Sequence, residues 1–180
     1  MESGYCLEKS PKPTLKVTLM PVSPTDGFRG GEDIAAPQAP ILVRLFDYWD
    51  RKRAGRHMPS PADIDPSELR GLVLHVMLYG VIEPGRLYRI RLVGQAIVDF
   101  VGVNNTGKAA GDGMTPEAAA RMIAILDSVV ANRAPRFRRG SADWRRDKAH
   151  RLFEACFLPL SSDGETVDKI LAGCAFAADA

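Results

Sequence analysis

The chain has 180 residues, 46% hydrophobic and 26% charged, and 24 basic against 22 acidic side chains leave a net charge of +2. That length suits one domain with a tail, the apolar content argues against wholesale disorder, and the balanced charge argues against a surface built throughout for nucleic acid or acidic membrane. Three cysteines make neither a disulfide framework nor a zinc finger, and no apolar run nears the roughly 18 residues of a spanning helix, so a reducing, cytoplasmic setting is expected.

Residues 1–39 are expected to form a flexible leader and residues 40–180 a single domain. Six of the 13 prolines fall in the first 40 residues, and Pro11, Pro13, Pro21 and Pro24 each remove a backbone donor. Within the leader only Thr14–Met20 alternates, and it makes an edge strand if a partner strand offers itself.

From Pro40 the pattern becomes helical. Ile41, Leu42, Leu45, Phe46 and Trp49 recur at helical spacing, with proline in the first turn and Gly55 as the stop. Asp65-Pro66-Ser67-Glu68 signals a second, short helix that Gly71 interrupts. Val73–Ile82 is almost wholly apolar, and Glu83–Arg86 is a turn. In Leu87–Val93 the residues Tyr88, Ile90 and Leu92 share one face and Arg89 and Arg91 the other, which predicts a strand pair. Ala96–Val101 is a helical turn or two closed by Gly102, and residues 102–113 form a loop. Thr115 as N-cap and Pro116 at the first helical position open the longest helix, whose stripe is Ala119, Met122, Ile123, Leu126, Val129 and Val130. Beyond Pro135 the chain turns basic, and His150–Leu160 and Val167–Phe176 then make a strand hairpin around Ser161–Gly164. Strands at both ends with helices between them predict an α+β fold on an antiparallel sheet.

The chemical motifs are weak. Gly102-Val-Asn-Asn-Thr-Gly107-Lys108-Ala109 approaches a phosphate-binding loop, but Ala109 lacks the hydroxyl that would hold magnesium, so nucleotide hydrolysis is rejected. His57, His75 and His150 are scattered, Asp65 is explained as a cap, and Ser161 and Ser162 lie in a turn. Cys156 and Cys174 fall on consecutive strands, where they can face each other, with inert packing as the default. A basic cluster remains: Arg133, Arg136, Arg138, Arg139, Arg145, Arg146, Lys148 and Arg151, interleaved with Phe137 and Trp144. Such a cluster suits a nucleotide or nucleic acid, or else a cationic strand edge that discourages pairing, which is the reading favoured here.

Taken in order, these pieces resemble a family of small bacterial proteins consisting of little more than one PAS domain. The matching stretches are Leu45–Trp49, Gly55-Arg56, Met58-Pro59, Asp63–Leu69, Tyr88–Gly94, Gly102, Thr106–Lys108, Leu158–Ser161, Asp163-Gly164 and Val167–Leu171. The resemblance implies a five-stranded antiparallel sheet with helices packed on one face, an N-terminal flanking helix, and a role in sensing or protein contact without catalytic residues. It also implies a cavity between the sheet and the long helix, lined by Leu92, Phe100, Met122, Leu126 and Phe157, for which ordinary core packing is the leading reading. Haem versions of the fold need an axial ligand, usually histidine, and Thr115–Asn132 has none. Flavin photosensor versions carry Asn-Cys-Arg-Phe, and Val103–Thr106 lacks the cysteine. Neither cofactor is expected, while the apolar lining leaves room for an unidentified small ligand.

The expected function is therefore a non-enzymatic regulatory module acting through protein partners, without metal or membrane. The alternative is nucleotide or nucleic-acid binding by Arg133–Arg151. Self-association is expected through the helix Ile41–Ala54, whose Ile41, Leu42, Leu45, Phe46 and Trp49 either meet a second copy or cover the sheet of their own chain.

Overall fold

The structure, a computed structural model, describes residues 31–84, 87–141 and 152–177. Pro40 occupies the first turn of helix α1 (Pro40–Arg53), where its missing N–H costs nothing, and Arg51, Lys52 and Arg53 lie in the last turn, favourably placed against the helix dipole. The chain leaves α1 through Ala54 in the left-handed region at φ 48°, one residue ahead of the glycine expected to end it. The helix expected after Asp65 is instead a run of turns. The Asp65 carboxylate accepts from Ser67 N–H at 2.8 Å, a local bond that competes with helix formation. The apolar run from Val73 begins as a single 3-10 turn before strand β2 (Val76–Glu83).

Six strands make one antiparallel sheet in the order β1-β4-β5-β6-β2-β3. Besides β2 these are β1 (Glu32–Ile34), β3 (Leu87–Val93), β4 (Arg136–Ser141), β5 (Leu152–Leu160) and β6 (Lys169–Phe176). Two of them depart from expectation. Glu32–Ile34 lies inside the expected leader yet pairs with β4, which makes the sheet six-stranded where five strands were expected. The basic segment after Pro135 is β4 itself, second from the edge. Its period-two signal is written in arginine, a residue that does not announce a buried strand. Met1–Gly30, with the Thr14–Met20 stretch and nearly all of the expected leader, lies outside the described residues.

Strand register assigns side chains to faces, because directly opposed residues of an antiparallel pair point the same way. Glu154, Cys156, Leu158 and Leu160 share one face with Ala175, Gly173, Leu171 and Lys169. Helix α1 packs there. A Cβ on Gly173 would lie 2.5 Å from Leu45 Cδ2 and 2.9 Å from Leu42 Cδ2, so only glycine allows the helix this close. Phe46 packs edge-on against Phe137 of β4 with ring centroids 5.1 Å apart. The Glu154 carboxylate accepts from the Gln38 and Ala39 N–H groups at 2.6 and 3.0 Å, supplying the N-terminal cap that α1 does not provide for itself.

Leu42, Leu45 and Trp49 are thus buried within their own chain, and Ile41 and Phe46 pack against the same core. Of the two uses expected of the α1 stripe, covering the sheet of its own chain is the one these contacts show, with Ile41 and Phe46 left half-buried.

The opposite face carries helices α2 (Gln95–Val101) and α3 (Pro116–Asn132). Thr115 caps α3 as expected, its hydroxyl accepting from Ala118 N–H at 3.3 Å. Between the two helices the loop carrying Gly107 and Lys108 runs along β3. Ile90 N–H donates to Lys108 O at 2.9 Å, Gly107 N–H to Ile90 O at 2.8 Å and Ala110 N–H to Tyr88 O at 2.7 Å. The near-phosphate loop is an edge cover.

Candidate functional site

The face beneath α3 is the region between the sheet and the long helix where the resemblance placed a cavity. Its floor comes from Phe157, Ala155, Ala172 and Ile170, with Tyr79, Met77, Ile90 and Tyr88 beyond them. Ile125, Leu126 and Val129 of α3 are buried in the same apolar cluster, with Met122 packed against it.

Of the five residues expected to line this region, Leu126, Phe157 and Met122 come together. Phe100 is buried but sits apart, stacked on Phe176 with ring centroids 3.7 Å apart. Leu92 does not belong. It is 39% exposed, because the ladder places Leu78 opposite Leu92 but Tyr79 opposite Ile90, leaving Arg91 as an extra residue. Such a bulge reverses the alternation, so Leu92 turns to the sheet's other face while Tyr88 and Ile90 keep to this one.

Two polar ties cross the apolar floor. The Tyr88 hydroxyl, on a wholly buried side chain, donates to the Asp127 carboxylate of α3. Arg136 of β4 donates to the Ser128 hydroxyl at 2.6 Å. These fix adjacent positions of α3 to β3 and β4, on either side of the packed centre. Sequence reasoning missed both. Their one visible signal is a carboxylate and a hydroxyl next to the apolar stripe of α3.

The other titratable groups here are unsuited to nucleophilic work. Burial pushes the Tyr79 hydroxyl well above its ordinary value and the Cys174 thiol up to about 12, so both stay protonated at neutral pH. Burial raises the Cys156 thiol as well. The two cysteines do not face each other. Register sets Cys156 opposite Gly173 and Cys174 opposite Ala155, so they point to opposite faces, and the expected juxtaposition is off by one residue.

The described half of the basic cluster is held by carboxylates. Arg136 and Arg138 both pair with Asp33, at 2.9 and 3.1 Å, Arg139 pairs with Glu32 at 2.6 Å, and Arg133 with Glu165 at 2.8 Å. Burial pulls the Arg138 pKa down, and Asp33 opposes that shift. The described guanidiniums of the cluster are thus engaged by carboxylates of their own chain. Trp144, Arg145, Arg146, Lys148 and Arg151 lie outside the described residues.

Comparison with known proteins decides the family. Residues 38–175 match the family model described as PAS domain. This chain belongs to the PAS-domain family. Its PAS sheet gains the β1 strand from residues ahead of the matched region. Among solved structures, the PAS chain is similar to the light-state LOV domain of the blue-light photoreceptor Aureochrome1, at 9% identity and a TM-score of 0.42, covering 63% of this chain and 89% of that one. It is also similar to an RNA-binding light-oxygen-voltage receptor, at 13% identity and a TM-score of 0.43, covering 81% of this chain and 38% of that one. No curated protein matches. Among the described residues of this PAS chain, no helix is long and apolar enough to cross a membrane.

Proposed function

We propose that this chain is a non-enzymatic sensory or regulatory PAS module of the cytoplasm that acts by contacting protein partners, with a small apolar ligand able to bias its conformation. The observation that carries the reading is the PAS-domain match over residues 38–175. The lining of the face beneath α3 agrees with it: apolar side chains crossed by the Tyr88–Asp127 and Arg136–Ser128 ties suit packing better than bond-making. The carboxylates and serines that the sequence offered for chemistry have local structural work. Asp63 accepts from Ser60 N–H and Arg56, and Ser161 donates to Asp163 at 2.8 Å within its turn.

Neither haem nor a flavin adduct is part of the reading, since α3 contributes no histidine and Val103–Thr106 no cysteine. The test is cross-linking of the full chain at native expression followed by mass spectrometry of the adducts, with native mass spectrometry of the purified protein for retained ligand. Reproducible protein adducts support the reading. Their absence, or turnover of a substrate by the purified chain, overturns it.

A further inference from the structure

Strand β1 is held mainly by charge. It is three residues long, its register sets Glu32, Asp33 and Ile34 opposite Arg139, Arg138 and Phe137, and each pair makes a different contact. On the α1 face Arg139 reaches Glu32 through two nitrogens, at 2.6 and 3.2 Å. On the α3 face the Asp33 carboxylate receives Arg136 through two nitrogens, at 2.9 and 3.1 Å, and Arg138 at 3.1 Å. Ile34 is half-buried and packs against the core beside Phe137. Arg138 also donates to Gly31 O at 3.1 Å. The β4 edge therefore reads an extended segment by backbone pairing, by one carboxylate on each face, and by an apolar side chain in third place.

We propose that the β4 edge is a dock for an extended acidic segment of a partner protein, two adjacent carboxylates followed by a branched aliphatic residue, and that Glu32-Asp33-Ile34 is its resident, exchangeable occupant. Charge complementarity selects this partner. Arg136 and Arg138 on the α3 face and Arg139 on the α1 face call for one carboxylate on each face, and a strand with neighbouring acids supplies them. The fold also lets β1 leave. Glu154 clamps Gln38 and Ala39 independently at the head of α1, so the exchange is confined to the residues before Gln38 and leaves α1 on the sheet. The proposal rests on the reading that the module works through protein partners, and it specifies the chemistry of that contact.

The test is fluorescence anisotropy of a labelled peptide copying residues 31–36, titrated with the full chain. Weak saturable binding is expected. It should tighten by about tenfold or more on the double variant Glu32→Gln, Asp33→Asn, whose resident strand has lost both charges. A peptide with Gln-Asn in place of Glu-Asp should bind about tenfold or more weaker. On the double-variant background, where the resident strand no longer competes by charge, Arg138→Met should abolish peptide binding. Should that variant fail to fold, Arg139→Gln on the same background, at a half-buried side chain whose Glu32 partner is already neutral, should still weaken binding while leaving the melting temperature close to that of the double variant.

Equal binding of the charged and neutral peptides, or no saturation on the double variant, overturns the proposal. So does displacement of the peptide by an oligonucleotide at matched ionic strength. A peptide-sensitive dimer in light scattering would overturn it too, in favour of β1 exchange between two copies. Retained peptide binding alongside absent cellular adducts would sink the functional reading and leave the dock standing.

Discussion

The indole Nε1 of Trp49 donates to the carbonyl of Pro159 at 2.8 Å, fastening α1 to β5 through a buried hydrogen bond across 110 residues of chain. Phe46 stacks beside the indole at 6.1 Å, and Arg53 lies over it at 5.9 Å. Trp49→Phe keeps most of the packing and leaves the Pro159 carbonyl without its donor, at a cost of about 1–3 kcal/mol. Trp49→Ala adds a cavity and should cost about 3–5 kcal/mol. Urea denaturation of the two variants should rank them in that order.

Gly173→Ala should destabilise by about 1–3 kcal/mol, because the new methyl would meet Leu45 Cδ2 at 2.5 Å and Leu42 Cδ2 at 2.9 Å. Combining it with Leu45→Ala should cost less than the two single changes summed, since the truncated side chain yields the space. Thermal melts of the three variants close this double-mutant cycle.

Leu42→Asp should lower the melting temperature sharply while the mass in light scattering stays that of the parent. Leu42 is fully buried against the sheet, so a charge there attacks the core of one chain. A halved mass with unchanged melting would instead give α1 an intermolecular role.

Leu92→Ser and Leu126→Ala separate the two faces. The exposed Leu92 should tolerate the change within about 0.5 kcal/mol, whereas Leu126, wholly buried beneath the helix, should lose about 2–5 kcal/mol. Chemical denaturation of both variants checks the bulge directly.

Acid should destabilise the protein through the turn before β6. The Thr166 N–H, followed by Glu165 N–H and the Ser161 hydroxyl, holds the Asp163 carboxyl far below its ordinary 3.8. Arg56, then Ser60 N–H, lowers Asp63 likewise. A depressed carboxylate contributes stability that is present above the unfolded pKa and lost as pH falls through the folded one. The melting temperature should therefore decline as pH drops below about 4, and Asp163→Asn should flatten part of that decline. An identical slope in the variant would assign the acid response elsewhere.

Legibility followed the kind of residue that carried each element. Helices α1 and α3 stood out because proline, threonine and a 3.6-residue apolar stripe announce them, and β5 and β6 because their apolar runs flank a turn rich in Ser, Asp and Gly. Strands β1 and β4 did not, because ion pairs between distant segments hold them and neither Asp33 nor Arg138 advertises the other. Leu92 was misplaced by one extra residue at Arg91, and the cysteine pair by a single step of register. In the candidate site the apolar trio Met122, Leu126 and Phe157 followed from the PAS resemblance. The Tyr88–Asp127 tie required knowing which part of α3 crosses β3.

The loop Gly107–Ala110 along β3 gives the sheet a direction. With that flank closed by backbone pairing, a chain adding to the sheet has β1 as its point of entry among the described residues. Misassembly of this protein would accordingly be polarised, lengthening from the acidic end alone, where like charges on Glu32 and Asp33 repel a second copy presenting the same strand.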